Sequence, residues 1–158
     1  MRGKVKVIAH LNEALKAELT SISQYFLHAE MCGNWGYHRL GELIKRQSID
    51  EMKHAEELIE RILFLEGTPN MGTGLSLKVG STVKMQLEAD LGLELEAVAQ
   101  YNAAMKTCVE EGDNTSRELF QKLLKDEEKH VDFLESQIHL IEEVGLGNYL
   151  ARQMLEKE

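Results

Sequence analysis

The sequence predicts an all-α protein: a four-helix bundle with one long crossover between the second and third helices, plus a short fifth helix at the C-terminus. Four long segments each carry a stripe of apolar residues at helical spacing. The second pair of segments repeats the first at a constant offset of 76 residues. One long glycine-rich segment separates the two pairs. Together these features indicate two helix pairs joined by a long connection.

The first two helices are predicted at about 5–32 and 37–66, with Gly33 and Gly36 between them. The third and fourth are predicted at about 82–111 and 115–144, and Asn114 or Thr115 is the expected N-cap of the fourth. A final amphipathic segment at about 146–155 is the short fifth helix. We expect one domain over residues 1–158, with the bundle at about 5–144.

Residues 67–81 contain the only proline and four glycines. An extended loop of this length spans up to about 50 Å, and a helix of about 30 residues is about 45 Å long. The loop can therefore cross the whole bundle. That makes the second and third helices parallel and the first and third antiparallel.

Composition excludes several classes of function. A net charge of −9 argues against nucleic acid or an anionic membrane as partner and favours cations. The N-terminus has no apolar run behind its basic residues, and no segment approaches the roughly 20 apolar residues of a membrane span. We expect a cytoplasmic protein that binds neither nucleic acid nor a membrane.

The two cysteines, Cys32 and Cys108, form no Cys-x-x-Cys motif, which excludes zinc-ribbon and rubredoxin-type sites. They also obey the 76-residue offset. In antiparallel helices they would lie about 40 Å apart, so no internal disulfide is expected.

Polar residues interrupt each apolar stripe at the same level of the predicted bundle. The sequence Glu-x-x-His occurs twice at the repeat offset, and each copy is paired with a lone glutamate on the neighbouring helix. The six residues are Glu18, Glu51, His54, Glu94, Glu127 and His130. Glutamate and histidine three residues apart share one helix face, and the helix lengths bring all six to mid-bundle.

Four carboxylates in an apolar interior need neutralising partners, because each unpaired buried charge is destabilising by several kcal/mol. Two divalent cations match the charge, and oxygen-rich ligation with one imidazole per metal suits iron or manganese. The alternative is an exposed face of ordinary ion pairs. Repetition of the motif in register with two glutamates in apolar stripes favours a two-metal centre.

Several stretches resemble bacterioferritin, and the resemblance covers essentially the whole chain. They are residues 18–25, the Ser-Ile-Asp-Glu-Met-Lys-His-Ala run at 48–55, residues 59–67 and residues 126–134. The paired Glu-x-x-His pattern is the known ligand set of ferritin-like di-iron proteins. The second complete copy favours bacterioferritin over animal-type ferritin.

The resemblance implies an iron-storage subunit with ferroxidase activity, in which Fe²⁺ is oxidised by O₂ or peroxide and Fe³⁺ is deposited in a hollow shell. It implies 24 identical subunits built from two-fold dimers, two iron ions per subunit, and a ferredoxin-type reductant for iron release. Glu18 and His54 would bind one iron, and Glu94 and His130 the other. Glu51 and Glu127 would bridge the two ions.

The resemblance also implies that Met52, paired with its twin across a subunit dyad, ligates a haem b shared by two subunits. Met52 follows Glu51 in the sequence, so its side chain points about 100° around the helix axis from the face that carries the candidate metal ligands. Tyr25 would donate an electron to the iron centre, although a purely structural core tyrosine is the alternative. His10, His28, His38 and His139 are expected to be surface or packing residues.

One residue departs from the family pattern. Some bacterioferritins have a histidine where this chain has Arg46, and use it with the carboxylate of Asp50 to hold an extra iron on the cavity surface. A guanidinium has no lone pair for a metal. We expect Arg46 to pair with Asp50 instead, although Asp50 and Asp126 remain available to a weakly held cation.

Two other functions compete with iron oxidation. One is a non-catalytic subunit that binds haem or forms the shell. The other is a different ferritin-like di-metal enzyme, such as a manganese catalase or a rubrerythrin. The presence of all six candidate ligands argues against a non-catalytic subunit. The absence of rubredoxin-type cysteines argues against a rubrerythrin.

Overall fold

A computed structural model describes residues 1–72 and 74–155, and that part of the chain contains five helices and no strand. The helices are α1 (Val5–Asn34), α2 (His38–Phe64), α3 (Val83–Glu110), α4 (Asn114–Val144) and α5 (Leu146–Gln153). α1 packs along α2, α3 packs along α4, and α1 also packs on α3. The predicted fold class is confirmed.

Side-chain contacts fix the direction of the helices. His10 contacts Thr107 near one end of α1, and Cys32 contacts Gln86 near the other, so α1 and α3 run antiparallel. A short turn makes α2 antiparallel to α1 as well. α2 and α3 are therefore parallel, and only a long crossover can join them.

The crossover between α2 and α3 runs along α1. Near its start, the side chain of Asn12 accepts a hydrogen bond from the Asn70 N–H and donates one to the carbonyl of Thr68. Near its end, the side chain of Gln24 accepts one from the Lys78 N–H. The loop is thus attached to the bundle at two levels of α1, about 18 Å apart.

The N-cap of α4 is Asp113, not the predicted Asn114 or Thr115. Its carboxylate accepts hydrogen bonds from the backbone N–H and the hydroxyl of Ser116. Arg61 of α2 also donates to Asp113. Gly112 takes a positive φ of 72° at this turn, a conformation that glycine adopts without strain. The aspartate therefore caps α4 and connects it to α2.

The buried apolar residues form two clusters, one toward each end of the bundle. The first includes Leu11, Leu15, Leu58, Ile62 and Phe120. The second includes Leu40, Ile44, Leu87, Leu134 and Ile141. The two cysteines are buried and free, Cys108 in the first cluster and Cys32 in the second. No disulfide joins them, as predicted.

The short terminal helix α5 packs against the bundle. Tyr149 donates its hydroxyl hydrogen bond to Gln137 of α4, and Arg39 of α2 donates to Gln153. Gly145 links α4 to α5 with a positive φ of 86°. Across residues 1–72 and 74–155, no helix combines the length and apolar character needed to cross a membrane.

Candidate metal centre

The six residues singled out by the repeat lie together in the interior. None of the six residues is more than 6% exposed. They come from all four long helices: Glu18 from α1, Glu51 and His54 from α2, Glu94 from α3, and Glu127 and His130 from α4.

The six residues form two overlapping groups of four. In each group, one ligand atom from every residue lies within 4.8 Å of the others. The groups are Glu18, Glu51, His54 and Glu127, and Glu51, Glu94, Glu127 and His130. Glu51 and Glu127 belong to both groups. This is the arrangement of two adjacent cation positions that share two carboxylates.

Many of the buried polar atoms at this centre form no well-directed hydrogen bond, although Oε1 of Glu51 lies 2.7 Å from Nδ1 of His130 and Oε1 of Glu127 lies 3.0 Å from Nδ1 of His54. The atoms without such a bond are Oε2 of Glu18, both carboxylate oxygens of Glu51, Nδ1 of His54, Oε2 of Glu94, Oε1 of Glu127 and Nδ1 of His130. Buried polar atoms are normally satisfied, because an unsatisfied one is destabilising by about 1–3 kcal/mol. Oxygen and imidazole nitrogen donors of this kind suit iron or manganese.

A carboxylate on the opposite helix orients each histidine. Nε2 of His54 lies 3.0 Å from Oδ2 of Asp126, and Nε2 of His130 lies 3.4 Å from Oδ2 of Asp50. A ring N–H held at Nε2 leaves Nδ1 directed at the centre. Asp50 therefore contacts His130, and the described residues include no ion pair between Asp50 and the exposed Arg46.

Close contacts between the carboxylates and histidines shift their pKa values. Burial alone would raise the pKa of Glu51, but contacts with His130 and His54 outweigh it and lower the pKa. Burial, followed by the neighbouring carboxylates, raises the pKa of Glu127 far above its usual range. Burial would lower the pKa of His130, but Glu51 at 2.7 Å and Glu94 at 3.4 Å raise it to about 10. At neutral pH the metal-free centre therefore holds protons on His130 and Glu127.

A cavity of about 330 Å³ lies beside the two histidines, between α2 and α4. It is lined by Asp50, Lys53, His54, Glu57, Lys122, Asp126, Lys129 and His130. His54 and His130 are the only two of these residues that also belong to the six-residue centre. The cavity thus connects the centre with the surface of the subunit.

Comparison with known proteins agrees with this geometry. Residues 8–144 match the Ferritin family, described as a ferritin-like domain. A bacterioferritin of Brucella melitensis is 46% identical over 149 residues, which cover 94% of this chain and 92% of the relative. One of Mycolicibacterium paratuberculosis is 44% identical over 152 residues, 96% of each chain, and one of Rhodobacter capsulatus is 45% identical over 145 residues, 92% and 90% of the two chains.

This chain belongs to the bacterioferritin family. The predicted resemblance is confirmed, and it extends over nearly the full length of the relatives. The ligand motif alone is also compatible with a manganese catalase or a rubrerythrin. The match to bacterioferritins over nearly the full chain favours the bacterioferritin family instead.

Met52, the predicted haem ligand, lies on the outside of α2 and is 55% exposed. Ile49, three residues earlier and on the same helix face, is 43% exposed. The neighbouring helix α1 exposes Phe26 and Leu27. The thioether is therefore accessible on an outer surface that carries further apolar side chains.

Both tyrosines at the candidate metal centre are fully buried. Tyr25 donates a hydrogen bond from its hydroxyl to Oε1 of Glu94, and Tyr101 donates one to Oε1 of Glu18. Burial and the nearby carboxylates raise the pKa of both phenols well above 10. Both tyrosines therefore remain protonated and donate to the carboxylates.

Sequence reasoning missed a second buried polar network beside the centre. Nδ1 of His28 lies 2.9 Å from Oδ1 of Asp90, and Gln24 donates to the same oxygen. The Gly80 N–H donates to Nε2 of His28, so the neutral ring carries its proton on Nδ1 and donates it to Asp90. His28 is therefore neither a surface nor a simple packing residue, whereas His139 is exposed as predicted.

A signal for this network was present in the sequence. Asp90 lies one helical turn before Glu94 on α3, and His28 lies one turn after Gln24 on α1. When polar residues occupy the inward face of a helix one turn beyond the metal ligands, they are expected to have hydrogen-bond partners on the neighbouring helices. Here the partners include the backbone of the crossover.

Proposed function

We propose that this protein is an iron-storage subunit that oxidises Fe²⁺ with O₂ or peroxide at a dinuclear centre and passes Fe³⁺ to a mineral in a hollow shell. The observation that carries the proposal is the two overlapping groups of buried ligand atoms from Glu18, Glu51, His54, Glu94, Glu127 and His130, many of which form no well-directed hydrogen bond. Full-length similarity to bacterioferritins supports iron as the metal.

In this proposal, Glu18 and His54 bind one iron through Oε2 and Nδ1, and Glu94 and His130 bind the other. Glu51 and Glu127 belong to both groups of ligand atoms, so both ions would share these two carboxylates. Two divalent ions balance the four carboxylates once the protons on His130 and Glu127 have left. Asp126 and Asp50 hold the two imidazoles in position from the side away from the iron.

Fe²⁺ supplies the electrons of the reaction, and the chain supplies binding, orientation and exclusion of bulk water. The apolar clusters at both ends isolate the centre from solvent along the bundle axis. The cavity beside His54 and His130 is the route by which ions enter or leave. Three carboxylates and three lysines line it, and Glu57 pairs with Lys122.

Assembly and haem binding belong to the same proposal. Subunits pair about two-fold axes and build a 24-subunit shell in the cytoplasm. Met52 of each partner in a pair would ligate one haem b, because its thioether is accessible on the outer face of α2. A ferredoxin-type reductant would supply electrons for iron release.

Anaerobic titration with Fe²⁺, followed by rapid mixing with O₂ and an ultraviolet readout of Fe³⁺, tests the proposal. We expect two Fe²⁺ per subunit and a fast phase that exceeds oxidation in buffer. Glu18→Ala and Glu94→Ala should each abolish the fast phase. The bundle should stay folded, because both apolar clusters remain and the only hydroxyl that loses its acceptor is that of Tyr101 or Tyr25.

Glu13→Ala is the matched control, because Glu13 is an exposed glutamate on α1. It should keep the wild-type fast phase. An unchanged fast phase in both Glu18→Ala and Glu94→Ala would contradict the proposal.

A further inference from the structure

The two tyrosines at the centre are related by the same 76-residue offset as the six proposed ligands. Tyr25 reaches from α1 to Glu94 on α3, and Tyr101 reaches from α3 to Glu18 on α1. Both rings are fully buried. By position and by contact, Tyr101 is the counterpart of Tyr25 on the other half of the centre.

Each tyrosine contacts the centre through one oxygen of a glutamate. Oε1 of Glu18 accepts the hydrogen bond of Tyr101, whereas Oε2 has no hydrogen-bond partner and lies 3.6 Å from Nδ1 of His54. Glu94 is divided in the same way, with Oε1 bound to Tyr25 and Oε2 unpartnered. A single carboxylate therefore separates each phenol from a proposed iron position.

Packing accounts for the ring of Tyr101 but not for its hydroxyl. The ring lies 5.7 Å from that of Phe120 and belongs to the first apolar cluster. Phenylalanine would fill the same space without placing a polar atom in the core. The hydroxyl is used only toward Glu18, which points to a role at the centre.

The number of electrons needed to reduce dioxygen to water indicates what that role is. Two ferrous ions supply two electrons, which reduce dioxygen only to peroxide, whereas reduction to two waters takes four. Two phenols can supply the other two electrons, and each then becomes a neutral phenoxyl radical as its hydroxyl proton leaves. The two phenolic protons and two protons from solvent complete the two waters.

We infer that Tyr101 is a second redox-active residue of the centre, which gives one electron and its hydroxyl proton when dioxygen oxidises the bound iron. The inference rests on the proposed ferroxidase function. Glu18 receives the proton of Tyr101 and passes it on to the reduced oxygen, as Glu94 does with the proton of Tyr25. Each half of the repeat then contributes one phenol, and one dioxygen is fully reduced at each iron pair.

The test uses freeze-quenched electron paramagnetic resonance on assembled protein loaded anaerobically with two Fe²⁺ per subunit and mixed with one O₂ per iron pair. Tyr25→Phe and Tyr101→Phe should each retain about half of the wild-type tyrosyl radical, and the double variant should show none. Released hydrogen peroxide should rise from little in the wild type to about one per iron pair in the double variant.

Tyr149→Phe is the matched control, because Tyr149 is a buried tyrosine whose hydroxyl bonds Gln137 away from the centre. It should give the full wild-type radical. Anaerobic Co²⁺ titration provides a readout without oxidation, and every variant should bind two Co²⁺ per subunit. This establishes that the phenylalanine variants keep a folded centre.

Absence of a radical in Tyr25→Phe, or a full radical in the double variant, would overturn the role of Tyr101. Both results leave the proposed function intact as long as two Fe²⁺ per subunit are oxidised rapidly. A wild-type protein without rapid Fe²⁺ oxidation would instead overturn the proposed function, and this inference with it.

Discussion

Nε2 of His54 lies 3.0 Å from the carboxylate of Asp126, a contact that joins α2 to α4. The corresponding contact in the other direction, from His130 of α4 to Asp50 of α2, is longer at 3.4 Å. Asp50 is also more exposed than Asp126, at 51% against 37% of the side chain. The two histidines are therefore held with unequal strength.

This difference predicts unequal effects of the two aspartates on metal affinity. Asp126→Ala should weaken metal binding by about 10-fold or more, because loss of the partner of a ligating histidine typically has an effect of 10- to 100-fold. Asp50→Ala should have the smaller effect. Anaerobic Co²⁺ titration measures both, and Asp132→Ala, an exposed aspartate on the same helix as Asp126, is the control. Equal affinities in Asp126→Ala and wild type would contradict the prediction.

Metal binding should strengthen as pH rises from 6 to 8. The pKa of His130 is raised to about 10, so its ring is protonated throughout this range in the metal-free protein. A cation must displace that proton, and one proton released per ion raises the apparent affinity about 10-fold per pH unit. Co²⁺ titrations at constant ionic strength measure the slope. An affinity independent of pH would show that no proton leaves.

Met52→Leu should assemble normally and purify without haem. Leucine has a volume close to that of methionine but lacks a sulfur lone pair. Haem content per subunit, measured by absorbance, should fall from one haem per two subunits to none. Met85→Leu, at another exposed helix methionine, should keep the wild-type haem content. Haem at wild-type occupancy in Met52→Leu would place the ligand elsewhere.

His28→Ala should destabilise the metal-free protein. The change removes one of the two hydrogen-bond partners of Asp90 and leaves the Gly80 N–H without an acceptor. Each buried group left unsatisfied lowers the free energy of unfolding by about 1–3 kcal/mol. Thermal unfolding should show a lower Tm for His28→Ala and no change for His139→Ala, an exposed histidine of α4. An equal Tm in wild type and His28→Ala would show that the network is not needed for stability.

The buried residues of α2 and α4 could be predicted closely from the sequence, because on each helix the apolar residues and the candidate ligands recur at regular helical spacing along one face. On α3, Leu91 and Val98 lie at helical spacing on either side of Glu94, but the structure buries Asp90 and Ala97 more completely. Apolar periodicity cannot detect a buried aspartate whose partners, His28 and Gln24, lie more than 60 residues away.

The N-cap of α4 shows a similar limit. Asp113, Asn114 and Thr115 are all residue types that cap helices well. The choice among them depends on the backbone turn at Gly112 and on the pairing of Asp113 with Arg61. Neither is visible in a local sequence pattern. Arg46 illustrates the same point, because the sequence does not show that His130 already lies beside Asp50.

The crossed contacts at the centre also bear on the order of folding. Tyr101 holds Glu18, Tyr25 holds Glu94, and Asp126 contacts His54, so every one of these contacts joins the first half of the chain to the second. The α1–α2 hairpin emerges from the ribosome first and can pack locally, but it presents its ligands without the residues that orient them. Competent metal uptake therefore begins only after the crossover has brought the second hairpin into place. A nascent or truncated chain would carry acidic residues of the first hairpin and yet lack the complete set of six candidate ligands.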